Sequence, residues 1–497
     1  MKLRIKSTLT YSLLISHLTG CAVGPDYKIP TATIPDTYKE LNGWKQAEPK
    51  EEFLADKWWE IFKDAKLNTL EEQVNTANQS IAQAESQYKM SQSMVQSATA
   101  AYFPTANGTA STNRFKAASG QSVAVSGVRN LFGGVISAAW APDIFGGLRR
   151  QTESSTATAQ SKAATLHALR LTSQASLAQN YFQIRTLDTQ IKLLNDTVAT
   201  YDKSLTIIKN RYEAGIAAKS DIVEAQTQLE STRAQAINLG IQRAQLEHAI
   251  AVLIGKTPAE FSITPETLST PIPSIPVSIP SKLLERRPDI AIAERTVAAA
   301  NAQIGVAKAA YFPNLNLAAS DGQQSTLLAN VITQGARYWA LGPASLAIPL
   351  FDGGARSAVL QSAIDSYDAS VAGYRQAILT SFQQIEDNLA ALRILDEEVQ
   401  VQKRAVDAAH QAVQLTTNQY EAGTVSYLNV MVNQVTALNN DITAVNLQGQ
   451  RLSATVLLIK ALGGGWDKSE LPTKEQAGGT IKWSQFLPVP LNVPSQK

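Results

Sequence analysis

Cysteine is almost absent: Cys21 is the only one among the 497 residues. A single cysteine cannot form an internal disulfide or supply the paired thiols of a structural metal site. Histidine is nearly as scarce, since His17, His167, His248 and His410 each stand alone in their segments. No phosphate-binding glycine loop or nucleophile elbow is present, and no carboxylate is singled out as catalytic. The sequence therefore predicts no cofactor, no metal and no enzyme.

Methionine and surplus positive charge are also lacking. The chain has 4 methionines, too few for a pathway that carries soft metal ions. It has 44 basic and 42 acidic residues, and three of the basic ones, Lys2, Arg4 and Lys6, fall in the first twenty positions. Removal of residues 1–20 would leave 44 − 3 = 41 basic against 42 acidic groups, a net charge of −1. No nucleic-acid partner is therefore expected.

Residues 1–20 have the layout of a secretory signal: basic residues, then an apolar core around Tyr11 to Ile15 that is too short to span a bilayer. The segment ends in Leu-Thr-Gly before Cys21, which resembles a bacterial lipobox. This pattern predicts cleavage before Cys21 and acylation of that residue, and two or more acyl chains anchor a protein stably. Ala22 at the next position resembles lipoproteins that are sorted to the outer membrane.

The chain is a tandem duplication. Apolar residues at steps of three or four define a coiled-coil seam over residues 177–212, and the same seam returns 208 positions later over residues 385–420. The sequence Tyr-Glu-Ala-Gly at 212–215 recurs at 420–423. A repeat of this length is too long for a solenoid unit, whose period is about 20 to 50 residues. It therefore indicates two domain-sized halves.

Each half contains two predicted strands and a very long helix. After Pro104 and Pro313 the composition shifts to Thr, Ser, Val and Gly with a period of two, over lengths that suit tilted membrane strands of about 9 to 11 residues. Helices are predicted at about 147–213 and 354–421, each about 100 Å long at 1.5 Å per residue. A glycine ends each of them, and a second helix then returns. Each half is thus predicted to be a helical hairpin joined to two strands.

The predicted organisation has six parts. An extended lipidated arm follows the signal peptide, a proline-rich linker joins two structural repeats, and the tail is expected to be partly disordered. The boundaries are 1–20 for the signal peptide, 21–55 for the arm, 56–256 for the first repeat, 257–280 for the linker, 281–465 for the second repeat and 466–497 for the tail.

Four strands cannot close a transmembrane barrel. An open edge in lipid leaves backbone groups without partners at several kcal/mol each, so other chains must complete the sheet. Known single-chain barrels begin at eight strands, which excludes a monomer. Physical reasoning alone leaves two, three or four copies open.

Several motifs resemble the outer-membrane efflux factors, the TolC/OprM-like family. Residues 283–290 (Leu-Leu-Glu-Arg-Arg-Pro-Asp-Ile) and 311–313 (Tyr-Phe-Pro) resemble its central signature, and residues 24–27 (Gly-Pro-Asp-Tyr) after Cys21 resemble its lipoprotein branch. The resemblance covers residues 18 to about 465. It implies a mainly α fold with membrane β-strands, in which a homotrimer forms a twelve-stranded outer-membrane barrel and a periplasmic tunnel of coiled-coil hairpins.

The resemblance implies a passive duct that exports small molecules, such as drugs and toxic compounds. Its partners would be a periplasmic adaptor protein and an inner-membrane pump of the RND type, with outer-membrane lipid around the barrel. Two alternatives stay open: a periplasmic coiled-coil adaptor or scaffold lipoprotein, which needs no bilayer-length strands, and a duct for type I protein secretion.

The same resemblance places the periplasmic gate just beyond the second turn. In the family an acidic residue commonly rings this constriction, but here the matching positions are Leu428, Asn429 and Val432. We therefore expect an apolar and amide constriction that closes by packing and dewetting. In the first repeat Asp221 and Glu224 occupy the corresponding positions, where they form either an acidic ring at the tip or a solvated helix start.

The resemblance also assigns adaptor docking to the two turns, at Gly215, Ile216, Gly423 and Thr424.

Overall fold

The fold is known from a computed structural model, which describes residues 22–40, 57–116, 128–273, 275 and 284–479. The predicted signal peptide and Cys21 lie outside the described residues, as do the tail beyond residue 479 and part of the linker. Within the described residues, no helix combines the length and the apolar content that crossing a membrane requires.

The architecture is mainly helical, with two copies of one arrangement along the chain. Each copy has helices, two strands, a 67-residue helix and a 35-residue helix that runs back along it. The helices are α1 Ala65–Ala77, α2 Gln79–Ala100, α3 Gly147–Glu213, α4 Lys219–Leu253, α5 Pro288–Ala309, α6 Ala355–Glu421 and α7 Tyr427–Ala461; the strands are β1 Thr105–Lys116, β2 Val128–Trp140, β3 Asn314–Ser325 and β4 Arg337–Ala347. The predicted long helices and strand pairs are confirmed.

The helical segment before β1 consists of two helices, α1 and α2, which are divided at Asn78. At Asn78 the backbone is extended (φ −68°, ψ 120°), and the Asn78 side chain accepts hydrogen bonds from the backbone N–H groups of Ser80 and Ile81. Its Nδ2 donates to the carbonyl oxygen of Leu253 at 2.8 Å. Asn78 therefore ends α1, caps α2 and fixes the bend against the end of α4.

The four strands form one antiparallel sheet in chain order. β1 pairs with β2 from Thr105↔Ala139 to Lys116↔Val128, and β3 joins the two halves because it pairs with β2 on one side and β4 on the other. β1 and β4 are the edges, and within the described chain neither has a second neighbour.

The main core lies where the helices from both halves meet. Trp58, Trp59 and Phe62 are almost completely buried, and the Phe62 ring lies 4.8 Å from that of Phe182 on α3. The coiled-coil seam of α3 is buried in this core and also farther along the helix, toward its end at Glu213. Its residues with at most 6% exposure include Leu177, Tyr181, Ile184, Leu187, Leu194, Tyr201, Leu205 and Ile208. The coiled-coil seam thus packs both within and between the hairpins.

The extended arm, residues 22–40, is held against the helices by polar contacts. The Arg150 guanidinium binds the Asp26 carboxylate at 2.7 Å, and the Tyr27 hydroxyl donates to Glu294 at 2.5 Å. Asn301 donates to the carbonyl oxygen of Pro25 at 3.0 Å. These contacts fix the path of the arm along α3 and α5.

The linker between the halves begins with a 3₁₀ turn, Pro258–Glu260, and has no regular secondary structure in the described residues after it. Buried Asp188 on α3 accepts hydrogen bonds from Arg243 at 2.6 Å and from the backbone N–H of Glu266 at 3.0 Å. Arg185 donates to the carbonyl oxygen of Thr264 at 2.8 Å. The tail, which is described up to residue 479, contacts α2: the Gln92 side chain donates to the carbonyl oxygen of Gln476 at 2.9 Å.

Glu71 is a destabilising group in this fold. It is fully buried, and neither carboxylate oxygen has a hydrogen-bond partner. Burial raises the pKa of Glu71 well above its usual range. The unfolded chain ionises above about pH 4.3 while the folded chain keeps the proton, so stability falls as pH rises from that value toward the folded-state pKa.

We expect Glu71→Gln to raise the melting temperature by about 2–4 °C at pH 8 and to change it little at pH 4, because the amide carries no charge to desolvate. Thermal unfolding at both pH values measures this. The control is Glu72→Gln, whose exposed side chain pairs with Lys57, a kind of ion pair that contributes little. Equal effects of Glu71→Gln at the two pH values would contradict the account.

Candidate functional site

The two hairpin turns, at the end of the molecule away from the strands, have the same geometry. Gly215 and Gly423 adopt the left-handed conformation, with φ of +77° and +76°. The N–H of Ile216 donates to the carbonyl oxygen of Arg211 at 2.9 Å, and that of Thr424 to Gln419 at 3.0 Å. Each turn therefore ends its long helix as a Schellman motif, and a residue with a side chain would be strained at the glycine.

The predicted gate residues lie on the exposed side of the first turns of α7. Leu428 is 47% exposed and Val432 is 54% exposed, and Asn429 is exposed as well. Tyr427 and Val430, on the opposite side of the same helix, are buried. The helix thus presents two apolar side chains and an amide to the outside of this chain while it is held by its other face.

A small core at the tip, which we call the tip cluster, holds that other face. It joins both hairpins and is separate from the main core. Its buried members are Tyr201, Leu205 and Ile208 of α3, Ala225 and Leu229 of α4, and Tyr427 and Val430 of α7. The position of the gate residues therefore depends on the packing of the second hairpin against the first.

Arg211 and two tyrosines connect the hairpins at the edge of the tip cluster. The Arg211 guanidinium lies 4.7 Å from the centre of the Tyr420 ring, a cation–π contact between α3 and α6. The Tyr420 and Tyr427 rings are 5.5 Å apart in an edge-to-face arrangement. The Tyr420 hydroxyl is buried without a hydrogen-bond partner.

Asp221 and Glu224 are half-buried and lie near these tyrosines. Burial, with smaller electrostatic contributions from Tyr201, Tyr420, Asp221 and Glu224, raises the pKa of Tyr427 to about 12. Burial also raises the pKa of Tyr420, where Asp221 adds to the shift and Arg211 opposes it. The two acids therefore act on the contact between the hairpins.

The structure brings most of the predicted site residues together at one end of the molecule. Gly215, Ile216, Gly423 and Thr424 are exposed in the turns, and the acids and the gate residues follow them on α4 and α7. The sequence did not single out Arg211 or Tyr427. The available signal was the repeat itself: Tyr427 replaces Lys219 at the matching position, an aromatic residue at an otherwise polar helix start. No group of acidic, histidine or cysteine side chains suited to a metal occurs among the described residues.

Comparison with known proteins identifies the family. The model of the family "Outer membrane efflux protein" matches residues 70–256 and 279–464. The chain belongs to this family, and the two matched segments correspond to the two copies of the fold. The predicted TolC-like fold is confirmed by solved structures, among them the outer-membrane channel OprN, with a TM-score of 0.84 and 27% identity over 90% of this chain and 100% of that one.

Relatives of known role agree with this assignment. The toluene efflux pump outer membrane protein TtgF of Pseudomonas putida is 30% identical, over 90% of this chain and 95% of the relative. The antibiotic efflux pump outer membrane protein ArpC of Pseudomonas putida is 28% identical, over 95% of this chain and 98% of the relative. The protein is therefore an outer-membrane channel component of an efflux system.

We expect the double substitution Asp221→Asn and Glu224→Gln to lower the pKa of Tyr427, because two carboxylates that disfavour the tyrosinate are removed. Titration of the full-length channel with 13Cζ-labelled tyrosine, assigned with Tyr427→Phe, measures the shift by NMR.

The control is Glu213→Gln, an exposed acid at the end of α3 that is not among the groups that shift the pKa of Tyr427. An unchanged Tyr427 titration in the double variant, or an equal shift in the control, would show that the acids point away from the tip cluster.

Proposed function

We propose that three copies of this chain form a passive duct that exports small hydrophobic molecules, gated at the periplasmic tip. The open four-stranded sheet most directly supports assembly from several chains, and the likeness to TolC-like channels favours three of them. Three copies supply twelve strands, and each β4 edge would pair with the β1 edge of the next chain, so that no edge stays open in lipid.

Unequal burial of equivalent residues also supports assembly. Phe145 in the first repeat stacks on Phe312 with ring centres 4.9 Å apart, but Phe351, its counterpart in the second repeat, is 92% exposed. Leu350 is 90% exposed beside it. Exposed apolar groups of this size mark contact surfaces. A neighbouring chain would supply a stacking partner for Phe351, as Phe312 does for Phe145 within the chain.

Closure of the duct would come from the second hairpin. Three copies of Leu428, Asn429 and Val432 would converge at the inner end of the tunnel and form an apolar and amide constriction that dewets when narrow. The tip cluster and the Arg211–Tyr420 contact hold α7 against the first hairpin. Opening would therefore require α7 to move relative to α4, and Asp221 and Glu224 lie at that boundary.

The exposed turns suit docking of a periplasmic adaptor protein, which would link the duct to an inner-membrane pump of the RND type. Ile216 is 67% exposed, and Gly215, Gly423 and Thr424 lie on the surface. An exposed apolar side chain next to a glycine turn offers a contact point with close backbone access.

Small hydrophobic cargo is proposed because similar proteins are named for efflux of toluene and antibiotics.

Anchoring through acylated Cys21 is supported by where the arm begins. The N–H of Val23 donates to the carbonyl oxygen of Phe145 at 3.1 Å, and Ala22 lies against Gly146. Phe145 and Gly146 lie in the segment that connects the inner end of β2 to α3. They follow Trp140, an aromatic residue at the end of the strand, by five and six positions. The arm thus begins at the membrane-proximal end of the helical body, within reach of lipid.

Replacing Leu428 and Val432 by serine should raise the open probability of single channels in a planar bilayer at least tenfold. Hydroxyl groups favour water in the constriction, and tenfold corresponds to about 1.4 kcal/mol in the balance of closed and open states.

The control is Ile237→Ser with Ile241→Ser, which places the same change on exposed positions of α4 away from the turns. If the control opens the channel as much, or if the Leu428 and Val432 variant stays closed, the gate does not lie at these residues.

Cys21→Ala in the full precursor should abolish acylation, because the chain has no other cysteine. Labelling of cells with radioactive palmitate, followed by purification, measures this. The wild-type protein should incorporate label and the variant none, while the trimer persists because the arm contacts of Arg150 and Tyr27 remain. A wild-type protein without label would overturn the anchor.

A further inference from the structure

The outer end of the sheet, away from the helices, carries positive charge that the chain barely compensates. From residue 105 to residue 140 the sequence contains Arg114, Lys116 and Arg129 and no acidic residue. The segments that connect the strands at this end, 117–127 and 326–336, contain no charged residue. Asp321 is the only acid in the four strands.

The strand register separates these cations between the two faces of the sheet. One face is polar, with Thr, Asn and Ser along β1, as expected for a lumen. The other face carries Ile136 and, through the pairing Ile136↔Asp321↔Trp339, the exposed Trp339 ring. It is the lipid-facing side, which we call the outer face. Because side chains alternate and Gly108 pairs with Ile136, Arg114 and Lys116 lie on the outer face, whereas Arg129 lies on the lumen face.

The height of these residues matches the boundary of the apolar membrane region. A strand rises about 3.3 Å per residue, or about 2.5 Å along the membrane normal at a tilt of about 40°. Arg114 follows Thr105 by nine residues and Lys116 by eleven, so they lie about 23 and 28 Å above the inner end of β1. The apolar band of such barrels is about 25 Å tall. Both cations are therefore at the level of the outer-leaflet headgroups.

The remaining charges on the outer face neutralise each other. The Arg337 guanidinium binds both carboxylate oxygens of Asp321, at 3.1 and 2.7 Å. Arg114 and Lys116 are exposed and form no ion pair within the described residues. Residues 117–127, which follow Lys116 in the sequence, contain no acidic residue. No described residue therefore supplies their counter-charge.

We propose that Arg114 and Lys116 bind the phosphate groups of phosphorylated lipid headgroups in the outer leaflet. Two cations two residues apart on one strand face are spaced to contact one headgroup, and a guanidinium binds phosphate through two parallel hydrogen bonds. Attraction between basic residues at the membrane surface and anionic lipid acts over short distances. The inference rests on the proposed closed barrel, which puts this face in lipid.

Barrel closure would place one such site at each seam between chains. Arg337 begins β4, one edge of the sheet, and Arg114 and Lys116 end β1, the other edge. In a ring of chains, the β4 end of one chain would lie beside the β1 end of the next, so the neutral Arg337–Asp321 pair would flank Arg114 and Lys116 at each of the three seams. We expect one preferred lipid per seam.

Native mass spectrometry of the full-length trimer tests the proposal, with diphosphoryl lipid A and dephosphorylated lipid A as probes. The wild type should bind the phosphorylated probe at least tenfold more tightly than the other. The double variant Arg114→Gln with Lys116→Gln should lose about tenfold in affinity for the phosphorylated probe only, because two cations at the surface are removed.

Arg129→Gln is the matched control. Arg129 pairs with Phe115, between the levels of Arg114 and Lys116 in the sheet, but it lies on the lumen face. This variant should bind the phosphorylated probe as the wild type does. A charge-conserving exchange, Arg114→Lys with Lys116→Arg, should also retain binding and guards against loss through altered folding.

Unchanged binding in the double variant, or an equal loss in Arg129→Gln, would overturn the proposal. The same spectra give the mass of the assembly. A trimer without preference for phosphate refutes the lipid site alone, whereas the absence of a trimer refutes the proposed duct.

Discussion

The unpaired edges of β1 and β4 are the constraint on which the account of this protein depends. Each edge carries a row of backbone N–H and C=O groups that lipid cannot satisfy, at several kcal/mol for each group. The four described strands form one antiparallel sheet, so in the proposed trimer this sheet would acquire its membrane form through the neighbouring chains. The exposed Phe351 and the position of Arg337 at the sheet edge have a physical explanation once that association is assumed.

The two long helices connect the strands at the membrane end to the turns at the tip. Helices α3 and α6 have 67 residues each, about 100 Å, and begin within seven or eight residues of a strand end. Long helices hold their direction only when packed, and buried polar groups help to fix the packing. Asp188, bound by Arg185 and Arg243, ties the linker to α3, and Arg150 ties the arm to its start. These contacts hold the linker and the arm against α3.

Much of the fold follows from the sequence because its signals are local. The 208-residue repeat, the seam with steps of three or four, and the glycines at 215 and 423 define the hairpins, since each reflects helix geometry or a left-handed turn. The break at Asn78 does not follow from sequence, because asparagine suits a helix surface or a cap and only its bond to Leu253 decides between them.

The site was predictable in position but not in its contacts. The repeat places Leu428 and Asp221 near the tips, yet periodicity cannot say which hairpin a residue faces. Arg211 lies over a tyrosine of the other hairpin, and Asp221 acts on two tyrosines more than 190 positions away in sequence. Such pairs come from the packing of separate elements, which a single sequence does not encode locally. The lipid-facing cations were missed for the same reason, because the register that separates Arg114 from Arg129 needs the paired strands.

The number of chains in the assembly tests the central claim most directly. Light scattering of the full-length protein in a detergent of known contribution gives this number without reference to transport. The account predicts three chains, twelve strands and no open edge. A stable monomer or dimer in the same detergent would contradict it, because β1 and β4 would then have to be satisfied in some way other than closure into a twelve-stranded barrel.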